Sequence, residues 1–115
     1  MKKLIMFFLL YFLLPSASIA FAHPPQDIII DFDPASKILK AVIIHNVANP
    51  ENHYIKQVDI GINGKEIIVH KLTRQGNNNE QTVSYLIPDV KLGDTLSVEG
   101  HCSISGNLEK EIKVK

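Results

Sequence analysis

Two hydrophobic patterns divide the chain. Between Leu4 and Leu14 apolar residues follow one another without a break. Met1-Lys2-Lys3 precedes them, and Pro15-Ser16-Ala17-Ser18-Ile19 and the small-x-small triplet Ala20-Phe21-Ala22 follow. A basic start, a short apolar middle and a small-residue cleavage site are the parts of a secretory signal peptide. The run is too short to span a bilayer, which takes about 20 apolar residues. Residues 1–22 are therefore expected to be removed. Residues 23–115 are expected to form one domain, periplasmic or secreted, with no membrane association in the mature form.

Beyond that point apolar and polar residues come in short runs, several of them alternating with period two, as half-buried strands require. The pattern predicts strands over Asp27–Phe32, Lys37–His45, His53–Ile62, Lys65–Leu72, Gln81–Ile87, Thr95–Ile104 and Leu108–Val114. In the second, Ile38, Val42 and Ile44 share one side. In the third, Val58, Ile60 and Ile62 alternate with Asp59 and Gly61. Turn chemistry separates the runs: Asp33-Pro34-Ala35-Ser36, the polar loop Asn46–Asn52, Asn63-Gly64, Pro88-Asp89 and Ser105-Gly106. Asn63-Gly64 between alternating runs is the strongest hairpin signal, because both positions tolerate positive φ. Arg74–Glu80, rich in Asn, reads as a mobile hairpin tip. Glu109-Lys110-Glu111, interleaved with Leu108, Ile112 and Val114, reads as a charged edge strand. No segment after the leader sustains a 3.6-residue period with helix caps. Seven short strands in about 90 residues predict an all-β, immunoglobulin-like β-sandwich.

Charge narrows the function. The full chain holds 12 basic and 12 acidic residues. Lys2 and Lys3 belong to the leader, which leaves 10 basic against 12 acidic residues, a net of −2. Such a surface has no cationic excess for phosphates, so nucleic acid is excluded as a partner. A Gly-rich phosphate loop is absent too, and no Ser/His/Asp order suggests a hydrolase. Asp27, Asp31 and Asp33 lack the loop spacing of a calcium site and read as a solvated strand face. Tyr54 and Tyr85 read as packing aromatics with their hydroxyls at an edge.

The remaining chemistry rests on five histidines and one cysteine. A single thiol allows no intrachain disulfide; Cys102 is a buried small hydrophobe, an intermolecular partner or a metal thiolate. His45 ends one predicted strand and His53 opens the next, so both belong to one rim of the sandwich. His23, the first residue after the expected cleavage, and Cys102, just before the Ser105-Gly106 turn, can approach that rim. Three imidazoles and a thiolate form a ligand set for iron, copper or zinc. His70, in mid-strand, reads as solvent-facing. His101 adjoins Cys102, and neighbouring strand residues face opposite ways, so both reach one metal only across a bulge.

Asn49-Pro50-Glu51-Asn52-His53-Tyr54-Ile55, with Val58-Asp59 and Asn63-Gly64-Lys65 after it, resembles the central motif of the desulfoferrodoxin and superoxide reductase family. Cys102-Ser103-Ile104-Ser105-Gly106 is similar to the family's cysteine-containing second block, and His23-Pro24-Pro25 to its N-terminal His-x-Pro segment. The resemblance runs from His23 to Gly106 and implies an immunoglobulin-like sandwich with a mononuclear non-haem iron (Fe2+) centre. It implies His23, His45 and His53 as metal ligands and Cys102 as the axial thiolate. The implied activity is one-electron reduction of superoxide to peroxide, with superoxide or a related small redox ligand as partner. The sequence departs from the pattern at Asn46, where the family has proline, and at Ser105, where it has its last histidine. It also lacks a rubredoxin-like Cys-x-x-Cys domain, so turnover implies a separate electron donor.

Two other readings stand beside this one. An N-terminal His23, with its α-amine and ring nitrogen, chelates Cu(II) together with His45 or His53 and has no need of Cys102. That would make a non-catalytic metal-binding module. Alternatively the chain is an accessory β-sandwich whose ancestral site has decayed, of which a sulfur-oxidation carrier subunit is one version.

Overall fold

The computed structural model describes residues 23–115; the signal peptide expected over 1–22 lies outside the described residues. The described chain is all-β, with β1 (Asp27–Asp33), β2 (Ile38–Ile44), β3 (Ile55–Ile62), β4 (Lys65–Lys71), β5 (Glu80–Leu86), β6 (Thr95–Cys102) and β7 (Asn107–Lys113). They form two antiparallel sheets, ordered β1-β2-β5 and β4-β3-β6-β7. The sheets close as a β-sandwich over one core. Among the described residues no helix is long and apolar enough to cross a membrane.

Leu39, Ala41 and Ile43 of β2, Val58 and Ile60 of β3, and Leu96 and Val98 of β6 are fully buried between the sheets. Each larger aliphatic side chain among them contributes about 1.5–3 kcal/mol by leaving water. Gly100 of β6 lets the sheets approach: a Cβ there would lie 3.1 Å from Ile43 Cγ2. Ile38, Val42 and Ile44 share a side, but it is the outer one, and Ile38 is exposed. Lys40 shares that outer side, while Leu39, Ala41 and Ile43 make a wholly apolar inward one; Leu39 pairs with Tyr85 and Ala41 with Val83 of β5.

The β3–β4 hairpin turns on Asn63 (φ 51°) and Gly64 (φ 82°), the positive dihedrals expected of Asn-Gly. The β4–β5 connection is different. β4 and β5 belong to different sheets, so residues 72–79 are not a hairpin tip but a crossover over one rim. The crossover is docked there: Gln75 N donates to Pro50 O (3.0 Å), His45 N to Asn79 O (2.9 Å) and Val47 N to Asn78 O (2.8 Å). β7 is the edge strand its charge pattern predicts, with Glu109, Lys110 and Glu111 exposed.

Candidate metal centre

His45, His53 and His23 reach the same rim from three directions. His45 follows the last residue of β2 and continues its inward parity, Leu39, Ala41, Ile43, so its ring points to the interior and is fully buried. His53 lies two residues before β3, at the end of the loop that spans the rim; its amide donates to Asn49 O (3.0 Å). The N-terminal segment continues the β1 pairing, with Gln26 N donating to Ile44 O (2.8 Å). Pro24 packs against Gly106, where a Cβ would lie only 2.9 Å from Pro24 Cβ. That contact and φ +86° both favour glycine in the turn.

The three rings form a compact group. Centroids are 4.9 Å apart for His23–His45, 5.0 Å for His23–His53 and 4.8 Å for His45–His53, with interplanar angles of 59°, 58° and 84°. One ring nitrogen from each lies within 4.8 Å of the others. Two nitrogens bound to one zinc-sized ion at 2.0–2.1 Å lie at most about 4 Å apart, so the rings need only a small inward movement.

The hydrogen bonds determine which nitrogens are available. Gln75, fully buried in the crossover, donates its amide hydrogens to His45 O (2.8 Å) and Asn77 O (2.9 Å). Backbone carbonyls only accept, so the orientation of this amide is set and its Oε1 must face His45 Nδ1, 2.8 Å away. His45 therefore carries its proton on Nδ1 and donates it to Gln75. In the neutral ring Nε2 is then a bare lone pair, lying 3.4 Å from the His23 carbonyl oxygen, an arrangement that a cation would relieve. His53 Nε2 is buried with no hydrogen-bond partner. Burial, then the neighbouring His45 and His23, pushes the His53 pKa below the ordinary 6.5, so its ring favours the neutral, metal-binding form. His23 Nδ1 lies 2.9 Å from Pro24 O and Nε2 3.0 Å from Asn46 O. A neutral ring donates to only one of these, and metal binding requires it to release one. An unpartnered buried nitrogen, an oriented lone pair and an imidazole-only donor set fit a first-row transition metal.

Cys102 is buried at the end of β6, on the same rim. Its Sγ is not among the atoms that converge with the three imidazoles; it accepts from Ile104 N (3.5 Å). Cys102 instead lines a recess with Lys56, Ile104, Ser105, Gly106 and Asn107. A register shift does intervene between Ile55 and Gln57, opposite Cys102 and His101, and His101 lines the same recess; among the described residues no group of three or more ligand residues holds both. His70 corrects its expected solvent-facing role: it is half-buried and its Nδ1 lies 2.8 Å from the Tyr85 hydroxyl across the sheets. Gln75 was not singled out by the sequence, where it sits in a polar Asn-Gly segment with no period or motif. No protein-family model, curated protein or solved structure matches this chain.

Proposed function

We propose that the chain is an exported mononuclear metal-binding protein of the superoxide reductase-like kind, with ferrous iron held by His23, His45 and His53. The observation that supports it is the convergence of three imidazoles with His53 Nε2 buried and unpartnered. A buried polar atom without a partner costs about 1–3 kcal/mol, and a metal ion removes that cost. In this reading the signal peptide directs export, His23, His45 and His53 would hold the ion with Cys102 as a further thiolate ligand, and the ion would supply one-electron chemistry toward superoxide, its electron restored by a separate donor. The protein's own part is to orient the imidazoles, through Gln75 at His45, and to keep water from the buried ring of His53.

A second reading has its own observation. Cys102 Sγ stands apart from the imidazole group, and Ser105 occupies the place of the family's last histidine. Both favour a metal-binding module, for copper or iron, that does not turn over. Elemental analysis of the chain purified without oxygen, beside the Cys102→Ser variant, separates the two. About one iron per chain with a visible thiolate-to-iron band that Cys102→Ser abolishes supports the first. Metal retained without such a band, or copper in place of iron, supports the second. No metal under any loading condition sinks both.

A further inference from the structure

A second group of possible ligands lies away from the rim, on the outer face of the four-stranded sheet. Asp59 of β3 pairs with Glu99 of β6, and His101 lies two residues further along the same face. One carboxylate oxygen from each acid and a ring nitrogen of His101 all lie within 4.8 Å of one another. His101 Nε2 is 2.7 Å from Asp59 Oδ2 and 3.5 Å from Glu99 Oε1.

Three features set this group apart from surface carboxylates. First, Asp59 is nine-tenths buried, with a residue exposure of 9%. A buried charge needs a counter-charge, yet among the described residues no Lys or Arg nitrogen lies within 4.0 Å of either acid; the only cationic partner is a titratable imidazole. Second, each carboxylate is oriented by an amide on its other oxygen. Gln57 Nε2 donates to Asp59 Oδ1 (2.9 Å) and Asn107 Nδ2 donates to Glu99 Oε2. The remaining oxygens, Oδ2 and Oε1, are the ones that turn to His101 Nε2, which is the outer-sphere orientation found around metal ligands. Third, the neighbouring concavity, lined by Asp59, Glu66, Ser97, Glu99 and Glu109 among others, has no basic residue in its lining. Gly61 keeps it open, because a Cβ there would lie 2.5 Å from Ser97 Oγ.

We infer that Asp59, Glu99 and His101 form a second, independent site for a divalent cation. Two carboxylates offset the charge of the ion, which takes the place of the hydrogen bond between His101 Nε2 and Asp59 Oδ2. Two oxygens and one imidazole nitrogen select a hard to borderline ion such as Mn2+ or Zn2+.

The test is an NMR titration of the full chain with Mn2+, which broadens signals close to it. The expected result is broadening of the Gln57 and Asn107 side-chain amides, with an apparent affinity about tenfold or more weaker in Glu99→Gln and in Asp59→Asn. Glu99→Gln keeps an amide-sized side chain at a half-exposed position, so the test survives a folding defect in Asp59→Asn. His53→Ala, which removes a ligand of the rim group, is expected to leave this response intact. Amide signals that stay sharp after Mn2+ is added in large excess would overturn the inference. So would broadening that Glu99→Gln does not weaken, or that disappears with His53→Ala. The readout is local to the outer face, so failure of the rim site is seen separately.

Discussion

The rim and the outer face of the four-stranded sheet gather ligand atoms in opposite ways. At the rim three imidazoles converge with no carboxylate among them. One ring is oriented by a buried amide, and one has a nitrogen with no partner at all. On the outer face two carboxylates converge on one imidazole, which is hydrogen-bonded to Asp59 (2.7 Å) and lies 3.5 Å from Glu99. In the metal-free protein the first group stores unmet hydrogen-bonding capacity, while the second gathers two carboxylates with no Lys or Arg beside them. Softer transition metals gain more at the first and harder divalent ions at the second. One small sandwich thus offers two donor sets without sharing a residue, and variants at one should leave the other unchanged.

The largest break in that comparison comes from a rim ligand. His53→Ala is expected to weaken iron or copper binding at the rim by more than about 100-fold, measured by competition with a chromophoric chelator. The outer-face response to Mn2+ should stay within twofold or so, because the two groups share no ligand. His53→Phe sharpens the point. It removes the same ligand but also the unpartnered buried nitrogen, so the metal-free variant should be more stable than wild type by about 1 kcal/mol. A chemical-denaturation midpoint that falls instead would show that the ring is already satisfied.

Gln75→Leu comes next. It leaves all three imidazoles in place but removes the acceptor that holds the His45 proton on Nδ1, and with it two donors to buried carbonyls. Rim affinity is expected to fall by about 10–100-fold, and stability of the metal-free chain by about 1–3 kcal/mol. An affinity unchanged within error would mean that Gln75 only fills space.

Gly61→Ala tests the other region at lower cost. Its Cβ would meet Ser97 Oγ at 2.5 Å and Lys65 O at 3.2 Å. A destabilisation of about 1–2 kcal/mol is expected, read from the thermal or urea midpoint. Adding Ser97→Gly should recover about half of it, since the hydroxyl clash then disappears and the backbone contact remains. Rim affinity should not move in either variant.

What was legible in the sequence is what depends on neighbours along the chain. Asn63-Gly64 specifies its hairpin through its own dihedrals, and strand runs with polar boundaries mark themselves. The loop between His45 and His53 carries both rings to one rim whichever partners the strands choose. The illegible features all depend on pairing between distant strands. Gln75 gains its role because β4 and β5 lie in different sheets, which sends the crossover over the rim. Asp59 meets Glu99 and His101 through the β3–β6 register, across some 40 residues of chain. The family resemblance implied His23, His45, His53 and Cys102 as one ligand set; the packing brings the three imidazoles together and leaves the Cys102 sulfur outside their group.

The smallest effect concerns protons rather than metals, and it belongs to the rim. The His53 pKa is held below 6.5 in the folded, metal-free chain, first by burial and then by His45 and His23. The unfolded chain takes up a proton at its ordinary 6.5, so between the depressed value and 6.5 the unfolded state binds more protons than the folded one. Stability therefore rises with pH through that window. The contribution is fully present above 6.5 and is lost as pH falls through the folded value. Urea midpoints of the metal-free chain at pH 7.5 and pH 5.5 should accordingly differ, with the lower pH less stable. His53→Phe should show a smaller difference, since it removes the group whose proton uptake produces this part of the slope. Equal slopes for wild type and His53→Phe would mean that the imidazole is protonated alike in both states, and that the rim has no more preference for an unprotonated ring than bulk water has.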